Sequence, residues 1–191
     1  LGSYSSCPPL VRAALDCLAV QRGLIRDGFG EYEEWFEGAI SQDKAHAALR
    51  FDLGRYRAGS VLAEDERLGT LYRLLTDLSM PHFGSTAFQA GADSSLQKLA
   101  LGFGDQAFHL AWAELVIGWL LTLCDAQLQT VAAAVVLTVS ETARTAVADT
   151  ARDVSQALGS RRRCYVEEAG GRFLFQNFRR KPGGVPKRVM L

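Results

Sequence analysis

Two clusters of cationic side chains near the C-terminus offer the clearest chemistry in this chain, which is the binding of anions. One cluster precedes a short segment of β-forming residues, and the other follows a second such segment. Residues 169–171, Ala-Gly-Gly, separate the segments and predict a β-hairpin, whose antiparallel strands would bring both clusters to its open end. The candidate binding residues are Arg161, Arg162, Arg163, Arg179, Arg180 and Lys181. Six cations in one small patch predict a site for carboxylates or phosphates.

The charge of the whole chain is balanced, but its distribution is not. The 21 basic residues offset the 21 acidic ones. From residue 161 onward nine basic residues stand against two acidic ones, which leaves +7, so the first 160 residues carry −7. The electrostatic field of a charged cluster acts over about 8 to 10 Å at physiological salt, and charges farther away than this do not cancel it. The basic segment is therefore expected either to dock on the acidic helical body, at Glu31–Glu37, or to bind an outside polyanion.

Aromatic residues within the predicted hairpin add nucleic acid to the partners that the basic patch suits. Arginines neutralise phosphates and aromatic rings stack on bases, which is the combination that single-stranded nucleic acid requires. The candidate stacking residues are Tyr165, Phe173, Phe175 and Phe178. The opposite interpretation, that these rings form the face that packs on a core, stays open. Residues 179–188, RRKPGGVPKR, also resemble a two-part basic nuclear import signal held extended by its prolines and glycines.

No residue pattern in the chain predicts catalysis, a metal site or a cofactor. His46, His82 and His109 have neither HxxxH nor HExxH spacing, and His109 lies in an apolar segment that favours a core position. The cysteines lie far apart without CxxC spacing, so they are expected to be reduced thiols of a cytoplasmic or nuclear protein. They are Cys7, Cys17, Cys124 and Cys164. We expect no catalytic residues, no bound metal and no cofactor.

Helical periodicity runs through the first 160 residues. It predicts helices over residues 8–23, 31–40, 43–59, 65–78 and 94–101, then an apolar segment at 106–124 and a run to 158. We expect a mainly α protein, a bundle of six or seven helices around a central apolar helix, with a C-terminal β-hairpin and basic tail. The expected domains are 1–160 and 161–191, with residues 1–3 as the remnant of a purification tag. A loop at 81–93, rich in small residues, is a candidate binding loop.

The segment at 106–124 is the most apolar part of the sequence. A helix that is apolar on all sides is either surrounded by other helices or embedded in a membrane. Asp105 and Asp125 flank the segment, no basic cluster does, and Glu114 would lie near the centre of a bilayer, where a carboxylate is costly. The pattern therefore predicts a core helix and no transmembrane segment. The following run, Asp125–Leu158, predicts one long helix of about 50 Å with a kink near Thr138–Thr142.

These features together predict a non-enzymatic protein-protein interaction or adaptor domain, a fragment of a larger protein whose amphipathic helices suit grooves that accept a partner helix. The alternative is a nucleic-acid-binding protein that uses the basic hairpin. The apolar pair Phe108–Leu123 and Val131–Val139, with amphipathic helices around it, also resembles the layout of Bcl-2-type apoptosis regulators and of pore-forming toxin domains. The Asn-Trp-Gly-Arg motif of those regulators is absent from the sequence.

Overall fold

The computed structural model describes residues 4–40, 62, 64–80, 97, 108–134, 139–160 and 163–190. In this part the chain is mainly helical and ends in a small antiparallel sheet. The elements are a 3₁₀ turn at Tyr4–Ser6, α1 Cys7–Arg26, α2 Gly30–Ile40, α3 Glu66–Ser79, α4 Leu110–Ala133, α5 Glu141–Gly159, β1 Tyr165–Ala169, β2 Arg172–Phe178 and β3 Lys187–Met190. The helices predicted at 43–59 and 94–101 and the loop at 81–93 lie outside the described residues, so a count of six or seven helices stays a prediction.

The first two helices are confirmed by the structure. Prolines occupy the first turn of α1, where a missing N–H costs nothing because that group has no partner inside the helix. The break between α1 and α2 is a turn in which Gly28 and Phe29 both have positive φ, at 62° and 68°. Gly28 adopts this conformation without steric cost because it has no Cβ. Glu31 and Glu33 in the first turn of α2 favour the positive end of its dipole.

Helix α3 follows from its cap and its leucine pattern. Asp65 lies just before the helix, and its carboxylate accepts hydrogen bonds from the backbone N–H groups of Arg67 and Leu68. Such a cap satisfies donors that otherwise have no partner within the helix. The leucines at helical spacing are buried in the core cluster. They are Leu68, Leu71, Leu74, Leu75 and Leu78.

Helix α4 is the central helix, but its limits differ from those predicted. It spans Leu110–Ala133, so Asp125, expected beyond its end, lies inside it. Asp125 is buried, and its Oδ2 accepts hydrogen bonds from Arg67 at 3.1 Å and from Gln129 at 2.9 Å. A buried carboxylate with a charged partner is tolerated where an isolated one is not. The predicted flanking charge is therefore part of the contact between α3 and α4.

The prediction of one long helix from residue 125 to residue 158 with a kink near Thr138–Thr142 is wrong, because residues 139 and 140 are not helical and separate two helices. Helix α4 ends at Ala133, and a second helix, α5, begins at Glu141. Ala134, just after α4, is already extended, and Ser140 starts α5: its backbone is extended and its hydroxyl accepts a hydrogen bond from the N–H of Ala143 at 3.2 Å. Serine in this position starts a helix because its side chain replaces the missing backbone acceptor. The expected end near residue 159 is confirmed.

The C-terminal hairpin is confirmed, and a third strand joins it. Gly170 and Gly171 both have positive φ, as the two central residues of a type I′ hairpin turn require. Strand β2 pairs with β1 on one side and with β3 on the other. The basic tail was expected to be extended, but Gly184 donates to the carbonyl of Lys181 in a turn that sends the chain back along β2. The tail was mispredicted because its glycines and prolines allow a turn as readily as an extended run.

One hydrophobic core joins the helices and the sheet. Phe173, Phe175 and Phe178 of β2 belong to the same buried cluster as residues of α1, α3 and α4. Trp112 makes edge-to-face contacts with Trp119 and with Phe178, with ring centroids 6.2 and 6.1 Å apart. Such pairs add about 0.5–1.5 kcal/mol beyond their buried area. The sheet is therefore held in place by the central helix, and its open end has a fixed position.

Candidate functional site: a basic surface at the open end of the hairpin

The structure brings most of the predicted cations to one end of the sheet. Tyr165 pairs with Gln176, and the Cys164 thiol contacts the carbonyl of Asn177 at 3.2 Å, so the strands remain adjacent at this end. Arg163, which precedes β1, therefore lies close to Arg179, which follows β2. Sequence reasoning missed Lys187, which β3 places opposite Phe178. We call the following set the basic end: Arg163, Arg179, Arg180, Lys181 and Lys187. Arg161 and Arg162 lie outside the described residues.

A β-bulge in β2 sets the path of the chain into the basic end. Asn177 has a φ of 54°, and the register with β3 shifts between Phe175 and Phe178. An extra residue in one strand changes which side chains face the core, so Phe178 follows Phe175 onto the buried side. Asparagine is one of the few residues that adopt this backbone conformation readily. The bulge therefore directs the residues after Phe178 toward the beginning of α4.

Backbone hydrogen bonds fix the basic end to the beginning of α4. The N–H of Ala111 donates to the carbonyl of Arg179 at 2.9 Å, and the N–H of Leu110 donates to that of Arg180 at 3.3 Å. His109, the residue before the helix, makes no side-chain cap, and the Tyr4 hydroxyl accepts a hydrogen bond from its backbone N–H. The C-terminal segment thus satisfies the first amides of the central helix, which otherwise have no partner.

Glu114 ties the other side of the basic end to α4. Its Oε2 accepts hydrogen bonds from the backbone N–H groups of Arg163 at 3.1 Å and Cys164 at 2.8 Å. Hydrogen bonds to a carboxylate are about twice as strong as those between neutral groups. Glu114, an acid beside the basic end, is therefore bonded to backbone amides of the hairpin.

The cations of the basic end have no acidic partner among the described residues. Among the ion pairs that join described residues, none includes any of these five side chains. Among the described residues, the ion pair between the sheet and the helices has its acid on the sheet and its cation on a helix. Arg73 of α3 binds Glu168 of β1 at 2.8 Å. Nε of Arg179 is buried without a hydrogen-bond partner in the described structure. The expected docking on Glu31–Glu37 finds no support in these contacts.

Three of the four candidate stacking residues are corrected by the structure. Phe173, Phe175 and Phe178 are buried, and Phe175 has no exposed surface. A ring that packs inside the core cannot receive a nucleotide base without unfolding its surroundings. Tyr165 is the one of the four that is exposed, at 38% of its surface.

The described residues contain no group of three or more histidine, cysteine or acidic side chains placed to hold a metal ion. His46 and His82 lie outside them, and His109 is buried with its ring edge-on to Tyr4. Burial raises the pKa of the Cys164 thiol, and Arg179 opposes this effect through its positive charge and its backbone hydrogen bond. A thiol with a raised pKa is a weak nucleophile at neutral pH. What the geometry offers is an anion-binding surface.

Comparison with models of protein families, with curated proteins and with solved structures gave no match for this chain. The fold and the basic end are therefore interpreted from their own geometry.

The contact of Glu114 with the hairpin predicts that an alanine at this position lowers the stability more than a glutamine does. Glu114→Ala removes the acceptor of two N–H groups, one exposed and one part-buried, and such a hydrogen bond contributes about 0.5–1.5 kcal/mol net. Glu114→Gln keeps an acceptor oxygen at the same place and is expected to retain most of the stability. Urea unfolding of the two variants gives the comparison. Equal stability of the alanine variant and the parent would show that the contact contributes nothing.

Proposed function

We propose that this chain is a non-enzymatic protein-interaction domain whose basic end binds an acidic segment of a partner protein. The observation that carries the proposal is the gathering of five cations around a sheet end that is fixed to α4, while none of them is paired with a described acid. Cations left without counter-charges produce a local positive field that attracts carboxylates and speeds association.

The rigidity of the basic end supports a recognition role. The backbone at Arg163, Arg179 and Arg180 is hydrogen bonded to the first turns of α4, so binding needs to order side chains but not the chain itself. Binding loses affinity whenever flexible groups are immobilised, and a preformed surface reduces that loss. A fixed arrangement of cations also discriminates among partners, because only a matching spacing of acids contacts several of them together.

Single-stranded nucleic acid is the second candidate. It is favoured by Lys187, which β3 adds to the cluster, and by exposed Tyr165, which offers one ring for stacking. The burial of the three phenylalanines speaks against a stacking platform of the kind that such proteins use. Acidic protein and nucleic acid differ in their anions and in their dependence on salt, so one experiment separates them.

The experiment compares a glutamate peptide of about 12 residues with an oligothymidylate of about 12 nucleotides by fluorescence anisotropy, starting near 50 mM salt, where counterion release favours binding. We expect the peptide to bind more tightly than the oligonucleotide. Arg180→Glu with Lys181→Glu should weaken peptide binding at least about tenfold, since charged contacts at an interface contribute this much together. Arg152→Glu with Arg172→Glu is the matched control, because it makes the same change of charge at exposed residues of α5 and of the turn end of β2.

Each result has a distinct meaning. Tighter binding of the oligonucleotide, with a log-log salt slope of about −3 to −4 for five neutralised phosphates, would replace the protein proposal with the nucleic-acid one. Equal weakening by the control pair would show that net charge and not the basic end governs binding. If neither probe bound near 50 mM salt, the basic end would bind neither type of polyanion, and both candidate functions would be wrong.

A further inference from the structure

The central helix has a second apolar face, opposite the core. Ile117, Leu120 and Cys124 are exposed, at 57% and 46% for the first two. Successive residues of a helix are rotated by about 100°, which places these three within about 60° of one another, with the middle of the group about 150° from the middle of the buried pair Leu115 and Trp119. Leu121 and Leu128, both half-buried, flank the three on the same side. We call these five residues the apolar seam.

Helix α4 meets the length and composition of a membrane span, while 39% of its most apolar window is buried. One such helix is weak support for a span, since core helices of folded proteins have the same properties. Its opposite face is fixed in the core by Trp112 and Trp119, and Asp125 is paired with Arg67. Entry into a bilayer would break these contacts and place Asp125 in hydrocarbon. The seam is therefore better suited to a protein surface than to lipid.

The seam leads into a cleft between α4 and α5. Val131 lies at nearly the same angle on α4 as Ile117 and Leu120, and it lines a cavity of about 420 Å³. Valines and alanines of α5 form the opposite wall, and Arg144 lies at its edge. From Ile117 to Val131 the helix rises about 21 Å, or four turns. That length matches an amphipathic helix of about 15 residues, with the cleft receiving a large apolar side chain.

The basic end lies at the other limit of the seam. Glu114, one turn before Ile117, holds the backbone of Arg163, and the carbonyls of Arg179 and Arg180 cap the beginning of α4. An occupant of the seam that reaches Glu114 therefore approaches exposed Arg163, the nearest part of the basic end. Charge complementarity selects a helix that carries acidic residues at the end that lies there.

We propose that the apolar seam binds an amphipathic helix of a partner protein, with its leucine-type face on α4 and its acidic end against the basic end. This proposal rests on the proposed function for its charged contacts, and it adds the class of partner. An exposed apolar stripe on a folded surface is a common mark of such a docking site. A helix that binds in a groove makes its contacts through apolar residues spaced three and four positions apart, and the residues of the seam have the same spacing.

The test uses a designed peptide of about 16 residues with leucines at positions i, i+3, i+4 and i+7 and three glutamates at one end. Two control peptides have the same composition in an order without an apolar face, or lysine in place of each glutamate. We expect binding of the designed peptide, and weakening of at least about tenfold for each control and for Ile117→Asp or Leu120→Asp. Leu10→Asp is the matched control, since Leu10 is an exposed leucine of α1.

Cys124 reports directly on the seam through its alkylation. Cys17 on α1 is also exposed and serves as the internal reference, while Cys164 is buried. We expect the designed peptide to slow alkylation of Cys124 by iodoacetamide and leave that of Cys17 unchanged, as read by mass spectrometry. If Cys124 of the free protein reacted as slowly as Cys164, the seam would already be covered and the docking proposal would be wrong.

The remaining outcomes separate the two proposals. Retained binding of the glutamate peptide in the Ile117→Asp variant, with loss of the designed peptide, supports both. Equal binding of the ordered and reordered peptides would overturn the helix proposal and leave the basic end intact. Protection of Cys124 by phosphatidylglycerol vesicles but not by the peptide would assign the seam to a membrane surface. A concentration-dependent mass that Ile117→Asp abolishes would assign it to a second copy of this chain. Either result would overturn the proposal of a partner helix.

Discussion

Trp119→Ala is expected to lower the free energy of unfolding by about 3–5 kcal/mol, the range for removal of a large aromatic side chain from a core. Trp119 is 6% exposed and packs edge-to-face on Trp112, which in turn contacts Phe178 of the sheet. The cavity that alanine leaves would lie between the helices and the sheet, where neither can collapse without moving the other. For a chain of this length the loss corresponds to a decrease in Tm of about 6–20 °C.

Leu120→Ala is the matched control for this prediction. Leu120 is the next residue of α4 and lies in the apolar seam, 46% exposed. Its truncation removes few contacts, so the change in stability should stay near 0.5 kcal/mol, roughly the range of surface substitutions. Thermal unfolding followed by circular dichroism compares the two variants. If both melted alike, the assignment of one buried and one exposed face to α4 would be wrong.

The contrast between these neighbours shows what the sequence could not predict about α4. The run of apolar residues predicts a central core helix, and the structure places Trp112, Leu115 and Trp119 of that helix in the core. The same apolarity leaves the buried face of the helix unpredicted, because a helix that is apolar on all sides has no polar face to indicate which side contacts solvent. On the side of Ile117 and Leu120 the helix is exposed, which the sequence pattern alone did not predict.

The hairpin was predictable for a local reason, and the rest of the basic end was not. Gly170 and Gly171 supply the turn, and the residues around them change to a two-residue period. The cap of α4 by the carbonyls of Arg179 and Arg180, by contrast, joins residues far apart in the sequence. Backbone carbonyls are the same in every residue, so no residue type announces such a contact. Sequence reasoning therefore found the cations but not what holds them.

The two helices predicted as one show that a periodic pattern does not by itself reveal where a helix ends. The apolar period continues across residues 125–158, and small residues there have good helix propensity. Ser140 nevertheless bonds the N–H of Ala143 and begins a new helix. The cavity between α4 and α5 lies beside this break, since Val131, Val139 and Val147 all line it. A feature of the proposed docking surface thus arises where the sequence prediction failed.

Phe175→Ala is expected to have the largest effect within the sheet, again about 3–5 kcal/mol of lost stability. Phe175 has no exposed surface, pairs with Val166 of β1 and Val189 of β3, and stands edge-to-face to Phe178 with ring centroids 6.4 Å apart. Loss of this ring loosens the strands on both sides together. The buried thiol of Cys164, next to Asn177 at the same end, should then become reactive toward a disulfide reagent.

Leu174→Ala and Tyr165→Ala separate this structural role from a role in stacking. Leu174 is the half-buried neighbour on the other side of β2, and Tyr165 is the exposed ring of the hairpin. Both variants should unfold within about 1 kcal/mol of the parent, because little core volume is lost. Urea unfolding gives the stability, and anisotropy with oligothymidylate gives the binding.

A Phe175→Ala protein that unfolded like the parent but no longer bound the oligonucleotide would show that this ring stacks on bases. The sheet would then have to open in solution, and nucleic acid would replace acidic protein as the partner of the basic end.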